Sequence, residues 1–179
     1  MDRQFIISIF GSSRPTPGTP QYAIAFEVGE ALARAGYIVC NGGYGGTMEA
    51  SASGAKKAGG ATIGILTKYF SRVPNKWIDT TITTSSMIER LMDLVNRADG
   101  YVVLEGGTGT LLELACVWEL MNKSVIREKP IVVVGEFWDA VIETLKNELV
   151  FEGLENCTKY VTRVDSAEEC VSVLDRMLK

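Results

Sequence analysis

The sequence predicts an α/β protein: a doubly wound domain with a mainly parallel sheet and helices on both faces. Three observations carry that prediction. Short apolar runs rich in strand formers alternate with longer segments of helical spacing along the whole chain. The strand-like runs are continuously apolar rather than alternating, as expected of strands covered on both faces. Two Gly-Gly-x-Gly turns, at Gly42–Gly45 and Gly106–Gly109, follow strand-like runs and lead into helical ones. A doubly wound sheet places its ligand loops there, at the carboxyl ends of its strands. No linker or low-complexity tract divides the 179 residues, so residues 1–179 are expected to form a single domain.

The elements follow in order. Phe5 to Phe10 is a strand that stops at the Gly- and Pro-rich loop Gly11–Gly18. Ala25, Val28 and Leu32 recur at helical spacing between about Gln21 and Ala35, with Gly36 as the stop. Tyr37 to Cys40 is a strand, and Thr47 to Ala58 a helix of small residues ending at Gly59-Gly60. Thr62 to Leu66 is a strand. Residues 67–85 read as irregular, with a short strand at Ile78–Ile82. Met87 to Ala98 is amphipathic, with Ile88, Leu91, Met92 and Val95 on one side. Tyr101 to Leu104 is a strand, followed by a helix from about Thr110 to Met121. Pro130–Val134, Trp138–Glu148 and Tyr160–Val164 read as strand, helix and short strand. Ser166 caps a final helix, with Glu169 in the capping-box position.

Composition narrows the chemistry. Lys and Arg number 18 against 22 Asp and Glu, a formal charge of −4, which argues against holding nucleic-acid backbones by charge. A small anionic ligand remains compatible with it. The chain has no histidine, which excludes Ser-His-Asp and Cys-His nucleophilic systems, histidine metal sites and a histidine base. The cysteines Cys40, Cys116, Cys157 and Cys170 form no Cys-x-x-Cys pair, so a metal site is not expected. No run approaches the ~20 apolar residues that span a bilayer, and Phe5–Phe10 is too short for a signal core. Four reduced thiols in a cytoplasmic protein with no membrane partner are the expectation, with Cys116 buried.

The motifs point to a phosphorylated ligand. A phosphate needs unobstructed N–H groups, best supplied by glycines at a helix N-terminus. Gly106-Gly107-Thr108-Gly109-Thr110 offers these, with two hydroxyl donors. The turn lacks the Gly-Lys-Ser/Thr of a Walker loop, and Leu112 stands where a dinucleotide fingerprint has its third glycine. Glu113 is the only charged residue from Gly106 through Trp118. It reads either as a buried functional carboxylate or as the end of a capping box begun by Thr110. Arg90 reads as a functional cation or as a solvated partner of Asp93. Ser12, Ser13 and Arg14 lie in a ligand-facing loop, and Met87 suits either core or ligand contact.

These residues resemble the Lonely Guy family, long misnamed lysine decarboxylases. Gly106 to Glu113 is similar to its Gly-Gly-x-Gly-Thr-x-x-Glu signature, Phe10-Gly11-Ser12-Ser13 to its first strand and turn, Gly42–Met48 to its second glycine turn, and Met87-x-x-Arg90 to its substrate-side helix. The resemblance implies a Rossmann-like nucleotide-binding domain, a homodimer, and hydrolysis of the N-glycosidic bond of a nucleoside 5′-monophosphate without a cofactor. It makes Arg90 and Glu113 the catalytic pair and gives the 5′-phosphate to Gly106, Gly107, Thr108, Gly109 and Thr110. Gly11, Ser12, Ser13, Gly43, Gly45, Gly46 and Met87 become substrate contacts, and the helix carrying Trp118 the candidate dimer face. The chain departs from the pattern at Glu105, usually Pro, and at Leu91, usually Lys. Its second turn, continuing Thr47-Met48-Glu49-Ala50, also resembles the molybdenum-cofactor carrier proteins, which bind a phosphorylated ligand without hydrolysing it. Enzyme and carrier are therefore both expectations to be weighed.

Overall fold

The computed structural model of the chain describes residues 4–179. Seven strands form one parallel sheet: β1 (Ile6–Phe10), β2 (Ile38–Asn41), β3 (Thr62–Thr67), β4 (Thr80–Thr84), β5 (Gly100–Val103), β6 (Ile131–Val134) and β7 (Val161–Val164). Their order is β4-β3-β2-β1-β5-β6-β7. The helices are α1 (Pro20–Arg34), α2 (Thr47–Lys57), α3 (Met87–Arg97), α4 (Thr108–Asn122), α5 (Asp139–Phe151) and α6 (Ala167–Leu178). This is the Rossmann-like α/β architecture the alternation predicts.

Side-chain alternation along each strand divides the core in two. Ile7, Ile9, Val102 and Val132 pack under α1, α2 and α6. Phe10, Tyr101, Val103, Ile131 and Val133 pack under α3, α4 and α5. Because every central strand is buried on both sides, its sequence is apolar at successive positions. β1 lies between β2 and β5, yet the chain leaves β1 for α1 on one face and β5 for α4 on the other. The two connections diverge and open a crevice at the carboxyl ends of the central pair.

Several boundaries move. β4 begins at Thr80, two residues later than the sequence implies, and pairs with β3 as the sheet's edge. α4 begins at Thr108, ahead of Thr110, because Gly107 takes the cap position. α5 runs on to Phe151, and a 3-10 helix at Glu155–Tyr160 had no clear periodic signal. The Ser166–Glu169 capping box forms as read: Ser166 Oγ accepts from the Glu169 N–H at 3.1 Å. All four cysteines are free, but Cys116 is only partly buried while the other three are buried. On the helix that carries it, Trp118 itself is buried, its Nε1 donating to the Cys157 carbonyl at 3.0 Å, while Leu112 of the same helix is exposed. Among the described residues no helix is long and apolar enough to cross a membrane.

The small residues of α2 have a steric cause. α1 and α2 cross so closely that a Cβ on Gly29 would lie 2.0 Å from the Ser51 carbonyl oxygen, and one on Gly54 would lie 2.0 Å from that of Phe26. The obstacles are backbone atoms, which cannot rotate away. Gly29→Ala and Gly54→Ala should therefore each destabilise the fold by about 1–3 kcal/mol or more, as overpacking does. Urea unfolding checks this: a lowered midpoint is expected for both, and a wild-type midpoint would contradict the close crossing.

Candidate active site

Three loops meet over the crevice, and backbone hydrogen bonds tie them together. The Ser12 N–H, just after β1, donates to the Glu105 carbonyl at 3.2 Å, just after β5. The Ser12 carbonyl accepts from the N–H and the Oγ1 of Thr47, at 2.9 and 3.0 Å, at the start of α2. The Ser12 segment thus joins both glycine turns. Inside the second turn, buried Asn41 accepts from the Gly43 N–H at 2.8 Å and donates to the Met48 carbonyl at 2.9 Å. A side chain that satisfies both ends of a turn fixes its path.

A cleft of about 350 Å³ opens between these loops. Gly11, Ser12 and Ser13 line it from the loop after β1, Met87 and Arg90 from α3, and Gly107, Thr108, Gly109, Thr110 and Glu113 from the start of α4. Gly106 faces an adjoining cavity of about 300 Å³ with Arg14 and Glu105. Gly43, Gly45 and Gly46 do not line the cleft; they shape the turn beside it, with Gly43 and Gly46 at positive φ. Sequence reasoning had not singled out Tyr44, Met48, Phe70 or Arg72, which also line it. Phe70 and Arg72 lie in the segment read as irregular, where no periodicity could mark them. A larger cavity, about 460 Å³, lies at the other end of the strands beside Phe5, Asp99 and Pro130, and contains none of the motif residues.

The start of α4 has the properties of an anion seat. Gly107 is the cap residue, and no side chain caps the helix. The first N–H groups of a helix have no partner within it, and the dipole makes this end positive. Neither Gly107 nor Gly109 has a positive φ, and a Cβ at either would meet nothing within 4 Å. The protein's own packing does not require glycine there. What the missing side chains keep open is the space in front of the amides.

Arg90 and Glu113 face the same cleft. Arg90 is 9% exposed, and its Nε donates to the Ile65 carbonyl at 2.8 Å. Asp93 pairs instead with Arg97 at 3.5 Å, so Arg90 is not the solvated partner of Asp93. Its position depends on Gly42, where a Cβ would lie 1.8 Å from Arg90 Nη2. The face of Tyr44 lies 5.7 Å from the guanidinium carbon. Glu113 is not a helix cap, since Thr110 sits inside α4 rather than at its start. Burial pushes its carboxyl up to about 7, with the charge of Arg90 acting the other way. Burial likewise pulls the Arg90 guanidinium below its ordinary value, and Glu113 opposes that. No direct ion pair within 4 Å joins the two; they act on each other across the cleft. The lysines nearest a glycine turn, Lys56 and Lys57, are held by Asp79 and Glu30.

Known proteins share this arrangement of elements. A protein of Mycobacterium tuberculosis named cytokinin riboside 5′-monophosphate phosphoribohydrolase is 34% identical over 131 residues, covering 72% of this chain and 69% of its own. The molybdenum cofactor binding protein of Rippkaea orientalis superposes with a TM-score of 0.76 at 28% identity, covering 97% of both chains. The Moco carrier protein of Chlamydomonas reinhardtii does so with a TM-score of 0.73 at 25% identity, covering 99% of both. With residues 4–171 matching as one continuous stretch, the chain belongs to the SLOG cluster4 family.

Proposed function

We propose that the protein hydrolyses the N-glycosidic bond of a nucleoside 5′-monophosphate, releasing the free base and ribose 5-phosphate. One observation carries this reading: an uncapped, glycine-lined helix N-terminus, the buried Arg90 and the half-buried Glu113 open on one cleft. The name of the mycobacterial relative supports it.

In this reading the amides of Gly107 to Thr110 hold the 5′-phosphate, with the Thr108 and Thr110 hydroxyls as further donors. Phosphate binding fixes the sugar, so energy from a group remote from the reacting bond serves positioning. The bond between C1′ and the base nitrogen breaks with its electron pair going to the base, leaving an oxocarbenium-like sugar. The Glu113 carboxylate stabilises that positive charge, which is worth most where water is scarce. Arg90 favours the ionised carboxylate against the effect of burial and orients it. A water adds its hydroxyl to C1′ and its proton goes to the departing base. A homodimer belongs to the same reading, with exposed Leu112, on the helix that carries Trp118, and exposed Ile88 of α3 as its apolar surface.

The second reading, a carrier that binds a phosphorylated ligand without cleaving it, draws on the two solved relatives that bind or carry the molybdenum cofactor. A panel of nucleoside monophosphates separates the two, with base release followed by chromatography. Release from at least one member is expected. Tight binding with no release from any would favour the carrier.

Glu113→Gln tests the carboxylate itself. Base release should fall by on the order of 10²–10³, the usual effect of removing one preorganised electrostatic group. Stability should move the other way at alkaline pH. The folded protein holds this carboxyl at about 7 and the unfolded chain near 4.5, so the fold binds the extra proton between those values. Stability is thus full below about 4.5 and falls as pH rises through about 7. The amide never ionises, so at pH 8 the variant should unfold at the same temperature as wild type or higher.

Gly109→Ala tests the anion seat. A Cβ there meets no protein atom, and alanine is favoured over glycine in a helix by up to about 1 kcal/mol, so the variant should fold at least as stably. Its affinity for adenosine monophosphate should nonetheless fall by about tenfold or more, equivalent to ~1.4 kcal/mol. Wild-type affinity, read by calorimetry, would remove the phosphate from this helix.

A further inference from the structure

We propose that Tyr44 is a positioning residue that holds the Arg90 guanidinium at its working place in the cleft. The inference rests on the hydrolytic reading for its consequence in turnover, but not for its geometry.

Among the described residues the Arg90 side chain makes a single hydrogen bond, from Nε to the Ile65 carbonyl at 2.8 Å, and has no carboxylate within ion-pair distance. One hydrogen bond through Nε leaves the plane of the guanidinium free to swing about that bond. Two neighbours stop it. The bare Cα of Gly42 admits Nη2 on one side, and the ring of Tyr44 faces the guanidinium with its centroid 5.7 Å from Cζ. A desolvated guanidinium over an aromatic face is attracted by the ring's quadrupole, so the ring supplies attraction where a carboxylate is missing.

Tyr44 is itself fixed at every part. Its ring is 5% exposed and takes the edge of Phe70, with the two centroids 5.9 Å apart and the planes at 79°. Its hydroxyl accepts from the Thr67 N–H at 3.1 Å and donates to the Thr67 carbonyl at 3.4 Å. Its carbonyl accepts from Asn75 Nδ2 at 2.8 Å, and the neighbouring Gly43 carbonyl accepts from the Asn75 N–H at 2.8 Å. The end of β3 and the segment after it therefore clamp the ring from one side, and the ring holds Arg90 on the other. The terminal Nη groups, which make no hydrogen bond to the described protein, are left to serve the carboxylate and the substrate.

The test uses the full-length protein without ligand and follows the Arg90 Nε–H resonance by proton–nitrogen correlation NMR. In wild type this proton should exchange slowly with water. Tyr44→Phe keeps the ring face but loses the two bonds to Thr67, so its exchange should stay slower and its kcat higher than in Tyr44→Leu. Tyr44→Leu removes the face: exchange should accelerate by about tenfold or more, and kcat for base release should fall by on the order of tenfold with KM changed less than about twofold. Tyr44→Met, close in volume to the ring and without a π face, takes the place of Tyr44→Leu should that variant fail to fold. Slow Arg90 exchange in the aliphatic variant, or wild-type kcat in it, would overturn the proposal. Absence of base release from wild type as well would count against hydrolysis alone, because the exchange rates decide the role of Tyr44 without turnover.

Discussion

A guanidinium buried at the foot of an open cleft is the constraint on which this end of the molecule depends. Removing a charge from water costs several kcal/mol unless other groups replace the lost hydration. Among the described residues no carboxylate lies within ion-pair distance of Arg90. A strand carbonyl, an aromatic face and a glycine with no side chain take the place of water instead. Gly42 then has a reason that turn geometry alone does not give: any side chain there would occupy the volume of Nη2. The same burial that draws the arginine down raises the carboxyl of Glu113. Each charge is costly singly, and each is made less so by the other across a gap in which a ligand can lie.

The sheet topology makes such a gap available. Since α1 and α4 leave neighbouring strands toward opposite faces, nothing crosses the ends of β1 and β5 except loops. Ser12 pins those loops by backbone bonds to Glu105 and Thr47, leaving the side chains at the rim free to differ. Glu105 illustrates this. The structural role of the position is carried by its carbonyl, which a proline would also supply, while its carboxylate points to a separate cavity and lies 3.4 Å from Gln21 Nε2. The departure from the proline of the Lonely Guy pattern therefore leaves the glycines at the start of α4 in place.

Much of the architecture was legible in the sequence because parallel strands buried on both faces leave an unbroken apolar record, and because glycines mark the strand ends. Residues near in sequence to those glycines were legible too, as with Ser12, Thr108 and Glu113. Distances between segments were not. The capping-box pattern fits both Thr110–Glu113 and Ser166–Glu169, yet only Ser166 caps its helix, since the first helix has already begun at Thr108. Arg90 and Asp93 had the right spacing for a surface pair, but burial of the arginine gave it other neighbours. Phe70 and Arg72 carried no motif, and only the return of the chain after β3 brings them to the cleft, whereas Tyr44 stood at the variable position of the Gly42–Gly45 turn, which its letter alone did not mark. Around Trp118 the unbroken apolar run gave no sign of which side faces inward: the 3-10 helix, silent in the sequence, covers Trp118, while Leu112, also on α4, stays exposed.

The central claim is that Arg90 and Glu113 share one poorly hydrated cleft and set each other's charge. The most direct measurement is a carbon-13 NMR titration of the Glu113 side-chain carboxyl in the free protein, repeated for Arg90→Gln. The account predicts a midpoint near 7 in wild type, because burial outweighs the opposing cation, and a higher midpoint once that cation is gone. A midpoint in the ordinary carboxylate range in wild type, unmoved by Arg90→Gln, would contradict it.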